Sequence, residues 1–180
     1  GESTMTRDEL EHAIRAACDI ADDTELWIFG SQAILGQHPD AHPDLRRSVE
    51  VDLSPKNRPE KVDQIDAALG ELSLFHSTHG FYVHGLSLEA AILPDGWDQR
   101  TVLVQNRATR DNKGHCLEAH DLAASKLVAF REKDRDFVRT LLVERLISPD
   151  TLLDRISMLP VDGEASGRLA LWVRATTSDL

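Results

Sequence analysis

The sequence is poor in cysteine, with two residues in 180, Cys18 and Cys116, far apart and with no CxxC pair. Such spacing gives no disulfide framework. It reads as a pair of reduced thiols in a cytoplasmic protein. Long hydrophobic runs are also missing. No apolar stretch approaches the ~18 residues of a membrane-spanning helix, and the N-terminus lacks the basic-then-apolar layout of a secretion signal. Basic charge is scarce, with 20 Lys and Arg against 31 Asp and Glu and a net charge of −11. A long basic surface tracking duplex nucleic acid is therefore not expected, whereas a small local basic pocket is compatible with that balance. No Walker A, GxGxxG or GxSxG motif occurs, and no HExxH frame. The eight histidines include His76, His79 and His84 close together and His38 and His42 in one loop, with no cysteine partner. They read as surface histidines rather than a zinc site.

What is present is enough apolar residue, 41%, to build a core over one compact domain or one domain with a helical extension. "GEST" before Met5 reads as a tag remnant over residues 1–4. "TRDELEHAIRAACDIAD" places Leu10, Ala13, Ile14, Ala17 and Ile20 at helical spacing, with Thr6 and Glu9 as a capping box. "ELWIF" reads as a buried strand, and "SQAILG" as a short helix ended by Gly36. "SVEVDL" alternates, with Val49, Val51 and Leu53 on one face and Ser48, Glu50 and Asp52 on the other, which predicts a strand. "RPEKVDQIDAALGEL" predicts a helix with Pro59 in its first turn. "FYVHG" and "TVLVQ" are strand-like, separated by the turn-rich "LPDGWDQR". Trp97 in that loop is either a packing anchor or a base-stacking aromatic. From His120 onward the pattern is helical. "DLAASKLVAFREKDRDFVRTLLVERL" is one helix or two joined end to end, followed by "SPDTLLDRISML", capped by Ser and Pro, and an amphipathic "DGEASGRLALWVRAT". An α/β front thus precedes an all-α back.

Two stretches carry chemistry together. Acids at i and i+2 of a strand project from one face, roughly 7 Å apart, so Glu50 and Asp52 form a carboxylate pair. Alone, that pair is an ordinary polar strand face. A Gly-Ser turn, Gly30–Ser31, opening a helix offers free N–H groups to a phosphate, although Gly-Ser is also a common cap. Strand, Gly-Ser turn and acid-x-acid strand in succession bring phosphate and Mg²⁺ ligands together. Lys126 stands alone in the apolar "LAASKLVAF", either snorkelling outward or entering a pocket. Lys126 and Lys133, seven apart, share a face if the helix is continuous, with Asp134 at its edge and Asp136 pointing elsewhere. Arg47, or alternatively Arg46, is placed to pair with the acids or to touch phosphate.

On these residues the sequence resembles the DNA polymerase β-like nucleotidyltransferase superfamily, through "IFGS" (Ile28–Ser31) and "VEVDL" (Val49–Leu53). More narrowly, "RSVEVDL" and "ASKLVAFREKDRDFV" resemble the abortive-infection toxin-like branch, and the likeness runs from about Trp27 to Leu142. It implies an α+β fold, a small mixed sheet flanked by helices in a nucleotidyltransferase core over residues 5–118, with a C-terminal helical region, 119–180, packed on it. It implies Mg²⁺ or Mn²⁺ on Glu50 and Asp52. An NTP would be held by Gly30, Ser31, Arg47, Ser48, Lys126, Arg131 and Lys133, with Glu50, Asp52, Lys126 and Asp134 in catalysis. The implied acceptor is a tRNA 3′ end or a protein, and a cognate antitoxin is an implied partner. The sequence departs from the pattern in three ways: Glu50 stands where Asp is usual, 18 residues lie between Ser31 and Glu50, and the strand expected to supply a third carboxylate, "FYVHG", ends in His84 instead. An inactive nucleotide-binding or interaction module of the same fold is the alternative that these departures support.

Overall fold

The computed structural model describes residues 4–180. Of the expected tag remnant, residues 1–3 lie outside the described part. The chain opens on helix α1 (Arg7–Ala21), whose Thr6–Glu9 capping box forms as the sequence requires. Leu10, Ala13, Ile14 and Ala17 are fully buried, each Leu or Ile contributing on the order of 2 kcal/mol. Strand β1 (Glu25–Phe29) follows, then a 3₁₀ turn at Ser31–Ala33 and helix α2 (Ile34–Gln37). The helix does not stop at Gly36, as expected, but continues through it. Gly36 is needed there for space, because a Cβ would lie 2.7 Å from the Cβ and Sγ of Cys116.

Strand β2 (Glu50–Pro55) carries the acid pair, with Val51 and Leu53 fully buried. The segment expected as one helix from Pro59 is a 3₁₀ turn and then α3 (Val62–Leu69), with a separate short helix α4 (Leu74–His79) beyond Gly70. Strands β3 (Tyr82–Gly85), β4 (Val102–Val104) and β5 (Lys113–Cys116) complete a mixed sheet of order β3-β2-β1-β5-β4. β2 runs antiparallel to β1 and parallel to β3, while β5 runs parallel to β1 and antiparallel to β4.

Alternation gives this sheet two unlike faces. Leu26, Ile28, Val51, Leu53, Val83 and Cys116 form the buried face, and a Cβ on Gly114 would strike Ile14 and Ile28 there. The opposite face carries Trp27, Phe29, Glu50, Asp52, Tyr82 and His84. Trp97 packs edge-on against Trp27 at 4.8 Å and Phe29 at 5.8 Å, so it anchors its loop.

Four helices follow the sheet: α5 (Ala119–Ala129), α6 (Glu132–Val143), α7 (Pro149–Ser157) and α8 (Gly163–Ser178). α5 leans on α2 and the Ser31 turn. Its first amide, Ala119 N–H, donates to Gln37 Oε1 at 2.9 Å. The long helical stretch is therefore two helices, parted at Phe130, whose φ of 53° is left-handed. One continuous hydrophobic cluster runs from Met5 through the sheet to Val173. No helix among the described residues is long and apolar enough to cross a membrane.

Candidate active site

β1 ends at Phe29 and the chain must turn sharply to enter the Ser31 turn. Gly30 takes φ 68° and ψ −177°, a conformation almost confined to glycine. It has a second reason to be glycine, since a Cβ would strike the carboxylate of Asp52. The antiparallel register sets Phe29 opposite Asp52, so the turn after Phe29 lies over that carboxylate. The Gly-Ser turn and the second acid are thus one packed unit.

That unit forms the floor of a cleft of about 630 Å³. Gly30, Ser31, Arg47, Ser48, Glu50, Asp52, Lys126, Arg131 and Lys133 all line it. The residues singled out in the sequence come together here, with one exception. Asp134 does not line the cleft. It is 1% exposed and sits behind the wall, accepting from Arg131 Nε at 2.7 Å and Nη2 at 3.3 Å, and lying 3.7 Å from Lys126 Nζ. Asp136, expected to point elsewhere, lines the cleft and pairs with Arg139 at 2.8 Å. Both departures follow from the break at Phe130. α6 starts on a new axis, so the angular reading over one unbroken helix does not apply. Lys126 and Lys133 share the cleft from different helices.

Lys126 enters a pocket and does not snorkel. Its side chain is 16% exposed, and its ammonium lies 4.7 Å from the centre of the Phe137 ring. Burial pulls its pKa below the ordinary lysine value, while Asp134 and Asp52 act the other way. The two arginines before the acid pair separate clearly. Arg46 turns its guanidinium back onto Ala41 O at 2.7 Å and Met5 O at 3.1 Å and ties down the segment at Met5. Arg47 stays on the cleft rim, held by Asp44 at 2.6 Å. Ser48 Oγ accepts from Glu50 N–H at 3.3 Å and shapes the start of β2.

The acid pair is under electrostatic stress. Burial, and next the neighbouring charge of Glu50, push the Asp52 carboxyl up to about 7, against opposing contributions from His84 and Lys126. Asp52 Oδ1 is buried and finds no hydrogen-bond partner among the described residues. A buried carboxylate oxygen without a partner is costly. A divalent cation would relieve both the repulsion and the missing bond, and hard carboxylate oxygens suit Mg²⁺ or Mn²⁺. Glu50 and Asp52 therefore fit such an ion.

A family model described as a nucleotidyltransferase of unknown function (DUF6036) matches residues 8–165. The chain belongs to this nucleotidyltransferase family. No curated protein and no solved structure matches it. In this family member the matched span contains the whole sheet, the cleft and both helices that wall it.

One residue at the site was passed over in reading the sequence. His84 stands beside Asp52 on the parallel strand β3. Glu50, Asp52 and His84 each offer a ligand atom, all within 4.8 Å of one another. The available signal was position, because "FYVHG" carries His84 where a third acid was sought. Without the strand order, the sequence does not show that this histidine lies beside Asp52.

Proposed function

We propose that this protein transfers a nucleoside monophosphate from an NTP to a hydroxyl acceptor on RNA, such as a tRNA 3′ end, or on a protein, as the abortive-infection toxin-like branch does. The observation that carries this reading is the cleft itself, with a carboxylate pair on its floor and Lys126, Arg131 and Lys133 on its wall. An acceptor oxygen attacks the α-phosphorus, a P–O bond forms to it, and the bond to the β-phosphate oxygen breaks. Pyrophosphate leaves with the bonding pair, and the hydroxyl proton passes to a nearby base. Mg²⁺ or Mn²⁺ on Glu50 and Asp52 would neutralise these acids and polarise the α-phosphate.

The protein's own residues hold and aim the triphosphate. The helix after Gly30–Ser31 is only a 3₁₀ turn and one α turn, so its dipole is small. Most of the phosphate charge therefore falls to the three cations. Lys126, partly desolvated over Phe137, meets a phosphate oxygen in a low-dielectric setting where the pairing is strong. Asp134 positions Lys126 and Arg131 from behind and does not touch substrate.

Protein incubated with α-labelled NTPs and Mg²⁺ or Mn²⁺ should label an acceptor from a cell extract. Asp52→Asn should reduce labelling about 10²- to 10³-fold, the scale lost with one key electrostatic group. Undiminished labelling by that variant would remove the assignment. NTP binding by calorimetry with no turnover on any acceptor would point instead to a binding module.

A further inference from the structure

We propose that His84 is a ligand of the divalent cation, through Nε2, and that it gives the site a preference for Mn²⁺ over Mg²⁺. This rests on the reading of Glu50 and Asp52 as metal ligands given above. Three observations carry it. First, parallel pairing of β2 and β3 puts Asp52 and His84 in register on the same sheet face, with Glu50 two residues back along β2. One ligand atom from each of the three lies within 4.8 Å of the others. On an octahedral ion with bonds of about 2.1 Å, adjacent ligands stand about 3.0 Å apart and opposite ones about 4.2 Å, so side-chain rotations that draw these atoms inward bring all three onto one ion.

Second, the other ring nitrogen already faces a carboxylate. His84 Nδ1 lies 3.4 Å from Asp66 Oδ1 on α3. That same oxygen accepts from Gly85 N–H at 2.6 Å, which fixes Asp66 against the end of β3. A carboxylate this close to Nδ1, though not hydrogen-bonded to it, favours the tautomer with the proton there, which leaves the Nε2 lone pair free. A metal-binding histidine characteristically has its other nitrogen engaged in this way. Third, Asp52 Oδ1 is buried and has no hydrogen-bond partner among the described residues, so its lone pairs are free to meet a cation.

The chemical consequence is selectivity. Mg²⁺ takes oxygen ligands almost alone and gives up its waters reluctantly, whereas Mn²⁺ accepts imidazole nitrogen more readily. A Glu-Asp-His set therefore shifts relative affinity toward Mn²⁺ compared with an all-carboxylate set.

The test is pulsed electron paramagnetic resonance on the full chain loaded with one equivalent of Mn²⁺, without NTP. The expected spectrum shows a directly bound ¹⁴N, which His84→Ala removes. Asp66→Asn should weaken Mn²⁺ binding by about 10- to 100-fold, as loss of an outer-shell partner does elsewhere. His84→Asp should lower the ratio of Mn²⁺ to Mg²⁺ affinity. Circular dichroism confirms the fold of each variant, and the half-exposed His84 side chain makes folding failure a minor concern. Mn²⁺ that binds, is lost in Asp52→Asn, yet shows no ¹⁴N coupling would overturn the role of His84 and leave nucleotidyl transfer standing. A coupling that survives His84→Ala would also overturn it. Binding indifferent to Asp52→Asn would remove both readings.

Discussion

Gly30 joins two constraints in one residue. Its φ of 68° and ψ of −177° are open almost only to glycine, and the space beside its Cα is filled by the Asp52 carboxylate. A Gly30→Ala chain must strain its backbone and also displace the acid. We expect a loss of about 2 kcal/mol in urea unfolding from the backbone strain alone. The displaced Asp52 should weaken Mn²⁺ binding in the same variant. An unchanged unfolding midpoint would show that the turn relaxes freely. At this scale the sequence was informative. Gly-Ser after an apolar strand, and acid-x-acid in an alternating strand, are local patterns that need no knowledge of the fold. His84 was not legible because its role depends on which strand lies beside β2, and that is set by sheet order.

The joint between α5 and α6 shows how an element boundary can reassign residues. Phe130 adopts the left-handed region, Arg131 caps α6, and the Asp134 carboxylate accepts the Arg131 N–H at 3.3 Å. Asp134 is thereby drawn inside, beneath two cations, and Asp136 is turned toward the cleft. Removing its nearer buried partner leaves Lys126 with Asp52 alone, so Asp134→Ala should cost about 3 kcal/mol and weaken NTP binding. Asp136→Ala, at an exposed pair, should change stability by less than about 0.5 kcal/mol. Thermal melts and NTP titration of both variants decide between them, and a larger stability loss in Asp136→Ala would contradict this assignment. α1 was readable because capping box and period agree. β5 was not, because "KGHC" contains no β-branched or aromatic run. It forms a strand because β1 and β4 flank it and because Gly114 lets Ile14 and Ile28 approach. α4 was missed because it is only six residues long and leaves Leu74 exposed.

At the scale of the whole molecule, a charged network fastens the helices to the sheet's open loop. Asp121, fully buried on α5, takes Arg100 at 2.9 Å from the loop before β4 and Arg155 at 3.1 Å from α7. Glu118 takes Arg155 at 2.5 Å and His120 at 2.7 Å, and His120 Nε2 accepts Ser148 N–H at 2.8 Å. Burial alone would raise the Glu118 carboxyl, but its bonds to His120 and Arg155 outweigh that and pull it down to about 2. A carboxyl whose folded value is depressed contributes stability above its unfolded value of about 4.3, which is lost as pH falls toward 2. Glu118→Gln should therefore unfold more easily at pH 7 and show a flatter decline in stability between about pH 4.3 and pH 2. Parallel pH profiles for variant and wild type in urea unfolding would sink this. The same compactness acts on the two thiols. Cys18 on α1 and Cys116 beneath Gly36 belong to one core, and burial pushes both up to about 12. Neither can meet an alkylating reagent as a thiolate while the core is closed. The molecule thus carries a built-in clock, in which the labelling rate of its only two thiols reports how often its interior opens. A single cysteine introduced on the cleft rim would be labelled ahead of that slow background.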